Sequence, residues 1–212
     1  GWRAVMAQGF TFENVRRLGQ AVAEWLKNQP GPRPPIVVGY DRRFSSDAFA
    51  AELAKVLAAN EFKVTLSTEP LPTPAVTLLT QKLKAVGLVV TASHNPPSHN
   101  GVKIKLQGRA AMESVTQAVE ALLDRAHPAR LGGEPVRSKS FMKDYVAYLR
   151  SRSNPDKFLK DLKRPVVVDY LHGASGGIMS QLLPANRLIE IRADHDPLFG
   201  GVNPEPIEEN LA

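Results

Sequence analysis

The stretch that decides the reading is Val86-Gly87-Leu88-Val89-Val90, followed by Thr91-Ala92-Ser93-His94-Asn95-Pro96-Pro97-Ser98-His99-Asn100-Gly101-Val102-Lys103. Five apolar residues in a row, bounded by turn formers, describe a strand buried on both faces. The Pro/Asn/Gly-rich run after it is a loop at the mouth of that strand. It carries a serine with a histidine beside it and a lysine ten residues on. Read alone, Ser93, His94 and Asn95 cap and shape a turn, which is the commoner use of such residues. A serine hydroxyl becomes a nucleophile only with a base, a metal or a pre-loaded phosphate. Neighbours in sequence do not supply that geometry. The flanking Gly-x-Ser-x-Gly of a hydrolase elbow is absent.

Outward from this loop, strand and helix periods alternate. Val15, Leu18, Val22, Trp25 and Leu26 fall at helical spacing from Phe12 onward, with Thr11 as cap and Pro30-Gly31-Pro32 as the stop. Ile36 to Tyr40 reads as a short buried strand. Ser45-Ser46-Asp47 is expected to cap a helix with Phe49, Leu53, Val56 and Leu57 on its apolar face. Phe62 to Leu66 is the next strand, and Leu71-Pro72-Thr73-Pro74-Ala75 enters another helix with proline in its first turn. Val102 to Leu106 is expected to be a strand, with a helix from about Met112 to Ala126.

This repeat implies a layered α/β/α domain with a mixed, mainly parallel sheet over residues 1–130. Pro128 to Lys139 is rich in Gly, Pro and charge, so 131–139 is taken as a linker. Residues 140–212 read as the start of a second, similar α/β domain. It should hold a helix near Phe141–Arg150, a strand at Pro165–Asp169, the turn Gly173-Ala174-Ser175-Gly176-Gly177 leading into a helix that ends near Leu183, and a strand at Leu188–Ile191.

The 212 residues can bury a proper core, and their composition is that of a soluble globular protein. There is no cysteine, which excludes a disulfide scaffold, a thiolate metal site and a cysteine nucleophile, and fits a cytoplasmic protein. No apolar run is long enough to span a bilayer, and the first residues lack the pattern of a signal peptide. The net charge of +6, from 27 basic and 21 acidic residues, favours anionic partners. The basic residues are scattered and aromatics make up only 7%, so no nucleic-acid surface is expected. A nucleotide-binding domain would need a phosphate turn after the first strand of the repeat, and Gly39-Tyr40-Asp41-Arg42 is not one.

The string Thr-Ala-Ser-His-Asn-Pro at residues 91–96, with Asn-Gly-Val-Lys at 100–103, closely resembles the phosphoserine loop of the α-D-phosphohexomutases, the phosphoglucomutase/phosphomannomutase superfamily. Gly1-Trp2-Arg3, Gly39-Tyr40-Asp41-Arg42-Arg43 and Leu71–Ala75 are similar to further motifs of that family. The resemblance implies that Ser93 carries the phosphate, bound through it to Mg2+, and that His94 and Lys103 serve as acid–base or electrostatic helpers. It implies phosphate or substrate contacts for Arg3, Asn95 and Asn100. Asp41 and Arg43 are expected to be a bracing ion pair. The implied substrate is a hexose phosphate, with hexose 1,6-bisphosphate as activator. Gly173–Gly177 and His172 are expected to be structural, and Glu205, Glu208 and Glu209 to be loop and helix-start charges.

Members of the superfamily have four domains, and the resemblance extends over the first and about half of the second. The magnesium-binding aspartate loop, Asp-x-Asp-x-Asp-Arg, and the sugar-recognition segments are not among these residues. A part of a longer mutase, inactive by itself, is therefore the expectation. A phosphosugar-binding or regulatory module without catalysis is the alternative.

Overall fold

The computed structural model of this chain describes residues 1–124 and 135–211. Its elements begin with β1 (Trp2–Val5), α1 (Phe12–Lys27), β2 (Ile36–Tyr40), α2 (Ser46–Ala59), β3 (Val64–Ser67), α3 (Thr73–Lys82), β4 (Val86–Val90), β5 (His99–Leu106), β6 (Arg109–Ala110), α4 (Glu113–Glu120) and β7 (Arg137–Lys139). One mixed sheet runs in the order β1-β5-β4-β2-β3-β7, with β6 on β5. The β4–β2–β3–β7 part is parallel, and β5 is antiparallel to both β4 and β1.

The apolar runs of β2 and β4 lie at the centre because both faces of the sheet are covered there. Val38, Leu88 and Val90 point into one core with Val15, Leu18, Val22, Phe49, Leu53 and Leu57 of α1 and α2. Val37 and Val89, one residue out of phase, point into the other with Leu71, Val76 and Leu79 beside and on α3. The result is the expected α/β/α layering. No helix among the described residues is long and apolar enough to cross a membrane.

A second unit follows, with α5 (Met142–Arg152), α6 (Pro155–Asp161), β8 (Val166–Asp169), β9 (Leu188–Ile191) and α7 (Glu208–Leu211). β8 and β9 pair in parallel as a separate two-stranded sheet.

Several local expectations need correction. Thr11 does cap α1, its Oγ1 accepting from Asn14 N at 3.2 Å, but Ser45 makes no side-chain cap to α2 and sits in the left-handed region at φ 55°. Trp2–Val5 and Pro155–Asp161 form elements that local pattern does not announce. β5 starts at His99, three residues before the apolar run does. The helix expected over 112–126 ends at Glu120, and its last two expected residues lie outside the described part. Of the connector 131–139, residues 131–134 also lie outside it, while Arg137–Lys139 is an edge strand on β3. The glycine turn leads only into one 3-10 turn, Met179–Gln181, because Gly177 at φ 80° cannot continue a right-handed helix.

Candidate active site

The C-terminal ends of β2 and β4 open on the same edge of the sheet, where open α/β sheets place ligand sites. Beyond β4, Thr91 and Ala92 are still buried and Ser93 is the first exposed residue. Its φ is 61°, a left-handed conformation that costs a non-glycine residue about 1–2 kcal/mol. Two contacts hold it there. Thr91 Oγ1 accepts from Ser93 N at 3.0 Å, and Ser93 O accepts from Arg43 Nη2 at 2.8 Å.

Arg43 organises the whole loop. Besides Ser93 O, its guanidinium donates to Asn95 O at 2.6 Å, Pro96 O at 2.8 Å and His99 O at 3.1 Å. Its side chain is fully buried, with Nε 3.3 Å from Asp41 Oδ2. Burial pulls the guanidinium below its ordinary pKa, and Asp41 pulls it back up by charge and hydrogen bonding. The ring of Phe199 lies 5.0 Å from the cation.

Asp41 Oδ1 accepts from Arg43 N at 3.0 Å and from Ser46 Oγ at 2.7 Å. Ser46 Oγ accepts in turn from Asn100 Nδ2 at 2.9 Å, while Asn100 Oδ1 takes Gly101 N at 2.8 Å. The resemblance leads one to expect Asn100 to touch phosphate; in the structure its side chain bonds to Ser46 and to the Gly101 amide. It is completely buried, and its amide is occupied in bracing the start of β5.

Arg3 and Asn95 do meet at the surface, Arg3 Nη1 donating to Asn95 Oδ1 at 2.9 Å. β1 carries Arg3 there because Arg3 lies opposite Gly101 in the β1–β5 register. A Cβ on Gly101 would sit 2.4 Å from Trp2 O and 2.9 Å from Thr91 O, so only glycine lets the two strands approach. Lys103 lies on β5 opposite Val89. Burial lowers its pKa, the charges of Lys105, Arg3 and Arg43 lower it further, and Asp41 alone opposes them. His94 is exposed beside Ser93.

The edge thus carries an exposed serine, with Arg3 bonded to Asn95 of the same loop and Lys103 within reach of the charges of Arg3, Arg43 and Asp41, while Asp41 is already engaged by Arg43. Such a surplus of cations suits a group that brings negative charge, a phosphoryl above all. Among the described residues, no group of three or more His, Cys, Asp or Glu could hold a metal ion. His172 lies in the second unit, buried, with Nδ1 3.2 Å from Asp194 Oδ1. Glu208 and Glu209 are exposed at the start of α7. Sequence reading does not single out Thr91, Ser46, Phe199 or Arg42 as participants. The Thr-x-Ser spacing is the one local signal among them, for the contact of Thr91 to Ser93 N.

The family model for phosphoglucomutase/phosphomannomutase, alpha/beta/alpha domain I, matches residues 1–130. The chain is 32% identical over its whole length to a phosphoglucomutase/phosphomannomutase of Thermococcus kodakarensis, covering 47% of that protein. It is 35% identical to a phosphoglucosamine mutase of Methylibium petroleiphilum, over 82% of this chain and 40% of that one. A crystal structure described as a phosphomannomutase of Thermus thermophilus superposes with a TM-score of 0.91 at 35% identity, covering all of this chain and 48% of the other. The chain spans about half the length of the relatives it matches.

Proposed function

This chain belongs to the phosphoglucomutase/phosphomannomutase family, and from that premise we propose that it is the N-terminal part of a phosphohexomutase. The parent enzyme moves a phosphoryl group reversibly between the 1- and 6-positions of a hexose. The observation that carries the reading is Ser93, exposed at φ 61° on a loop whose carbonyls Arg43 fixes. Residues 1–130 form the first domain and 140–212 an incomplete second one in this reading.

In the forward half-reaction the phosphorus–Oγ bond of phosphoserine breaks as a sugar hydroxyl oxygen bonds to phosphorus, leaving Ser93 unphosphorylated and a hexose bisphosphate in the site. The bisphosphate turns over, and its other phosphate returns to Ser93. Phosphoryl transfer is catalysed mainly by positioning and by neutralising the equatorial oxygens. The loop clamped by Arg43 does the first for Oγ. Arg3 and Lys103 contribute to the second, and a dianion on Ser93 raises the depressed pKa of Lys103. His94 and Lys103 are the candidates to hold the hydroxyl proton. Magnesium would neutralise phosphate charge, but the described residues do not form a site for it by themselves. The share of this chain is the phosphate of Ser93.

Glucose and mannose phosphates are the proposed substrates and hexose 1,6-bisphosphate the activator. Glucosamine and pentose phosphates are the next candidates.

The test is to incubate the full-length protein with Mg2+ and glucose 1,6-bisphosphate and map phosphate by mass spectrometry on the tryptic peptide 85–103. Phosphate should appear on Ser93 and leave when a hexose monophosphate is added. An unmodified peptide from folded, metal-loaded protein would rule the mutase out and favour a non-catalytic phosphosugar-binding module.

A further inference from the structure

The two arginines that follow β2 serve different partners. Arg43 holds the Ser93 loop, and Arg42 reaches into the second unit. Arg42 Nη1 donates to Ala193 O at 2.7 Å and Asp194 O at 3.0 Å, and Nη2 donates to Gly176 O at 3.3 Å. His195 Nε2 lies 3.0 Å from Arg42 O, so the contact is made in both directions. Ala193 to His195 follow β9, and Gly176 belongs to the turn after β8. The guanidinium therefore bridges the C-terminal ends of both strands of the parallel pair. Those ends are themselves joined, Arg192 Nε donating to Asp169 Oδ1 at 2.9 Å, so a grip on one carries the other.

A planar fork of donors reads the direction of each carbonyl as well as its distance, which a lysine ammonium cannot do. Space around it is equally specific. A Cβ on Gly176 would stand 2.4 Å from Ala193 O and 2.4 Å from Arg42 Nη1, so a side chain there would expel the guanidinium. Since Arg42 and Arg43 are consecutive, the carbonyls of the Ser93 loop and those at the β8–β9 edge are fastened to adjacent residues of one turn.

We propose that Arg42 is a positioning residue that sets where the β8–β9 edge of the second unit stands relative to Ser93. Its catalytic consequence rests on the phosphoryl-transfer reading above, while its geometric consequence does not. Where reacting groups are contributed by separate units, a displacement near 1 Å costs rate by up to about 100-fold.

No cysteine lies among these 212 residues, so label sites can be introduced into them once any cysteine elsewhere in the full-length protein is replaced by serine. Lys55→Cys on α2 and Ser180→Cys in the second unit, both exposed, take a spin label each in the full-length protein. Their distance distribution is then measured by pulsed electron resonance. Arg42→Ala should broaden it about twofold or more, and in unlabelled protein should lower kcat roughly tenfold with KM within about twofold. Gly176→Ala should reproduce both effects by a different route, and Arg42→Lys should recover only part. The glycine variant also serves if Arg42→Ala proves too unstable to purify. A distribution unchanged in folded Arg42→Ala overturns the proposal. Broadening with kcat unchanged overturns the positioning role. Broadening in a protein whose wild type neither phosphorylates Ser93 nor turns over sinks the mutase reading and leaves the Arg42 latch standing.

Discussion

At Ser93 the backbone conformation, not the hydroxyl, is the costly feature. Removing the hydroxyl in two ways separates the two. Ser93→Ala keeps a Cβ at φ 61°, whereas Ser93→Gly relieves it, so the glycine variant should be the more stable of the pair by about 1 kcal/mol in urea denaturation. Both should take up no phosphate. Arg43→Ala strands the Asp41 carboxylate and releases the loop carbonyls, and should cost about 3–5 kcal/mol. Lys103 works in the other direction. Its folded pKa is below its unfolded one, so the folded state holds fewer protons in that interval and stability rises with pH through it. Lys103→Gln should therefore raise the melting temperature of the unphosphorylated protein by about 1–3 °C near neutrality. Turnover should fall at the same time.

At the scale of elements, α5 is started by a residue far from it in sequence. Glu69, in the loop after β3, accepts from Ser140 Oγ at 2.7 Å and from Phe141 N and Met142 N at 3.0 Å each. It is a cap supplied in trans, and it seats Phe141 in the core beside α3. Burial pushes the Glu69 carboxyl up, but these bonds and Lys143 outweigh it and the net pKa is lowered. A depressed carboxylate stabilises the fold above its unfolded pKa and stops doing so as pH falls through the folded value. The protection of the Met142 amide, relative to its intrinsic exchange rate, should fall as pH drops through the lowered Glu69 pKa, and Glu69→Gln should cost about 1 kcal/mol at pH 7 and remove most of that pH dependence. Elements of this kind mark the limit of what sequence conveys. β2 and β4 are legible because continuous apolar runs mean two-sided burial, and α1 because its period and Thr11 agree. Arg137–Lys139 contains no apolar residue, and it is a strand only because β3 offers an edge. The serine loop stands out as a string, but the use of each member does not. Asn100 and Ser93 are both polar residues of that string, and only register decides that one is buried in β5 in a bonded chain with Ser46 while the other faces solvent.

For the whole molecule, the two units differ in how well they are covered. The first has both faces of its sheet packed. In the second, Val167, Ile189 and Ile191 are 60%, 50% and 43% exposed, and Leu198 and Ile207 join them at the surface. The 212-residue chain by itself should bind a dye such as ANS and associate with rising concentration in sedimentation velocity. In a coupled assay it should show no mutase turnover. The β1–β5 pairing carries a consequence of another kind, in time rather than space. Trp2 to Val5 pair with Val102 back to His99, almost a hundred positions along the chain. Such a contact must wait for a long loop to close. In pulse-labelled refolding, the amides of β1 should gain protection after those of β2 and β4. The residues of β1 would then be among the last to find their place, and Arg3 with them, so Asn95 of the serine loop would gain its bond from Arg3 only as folding ends.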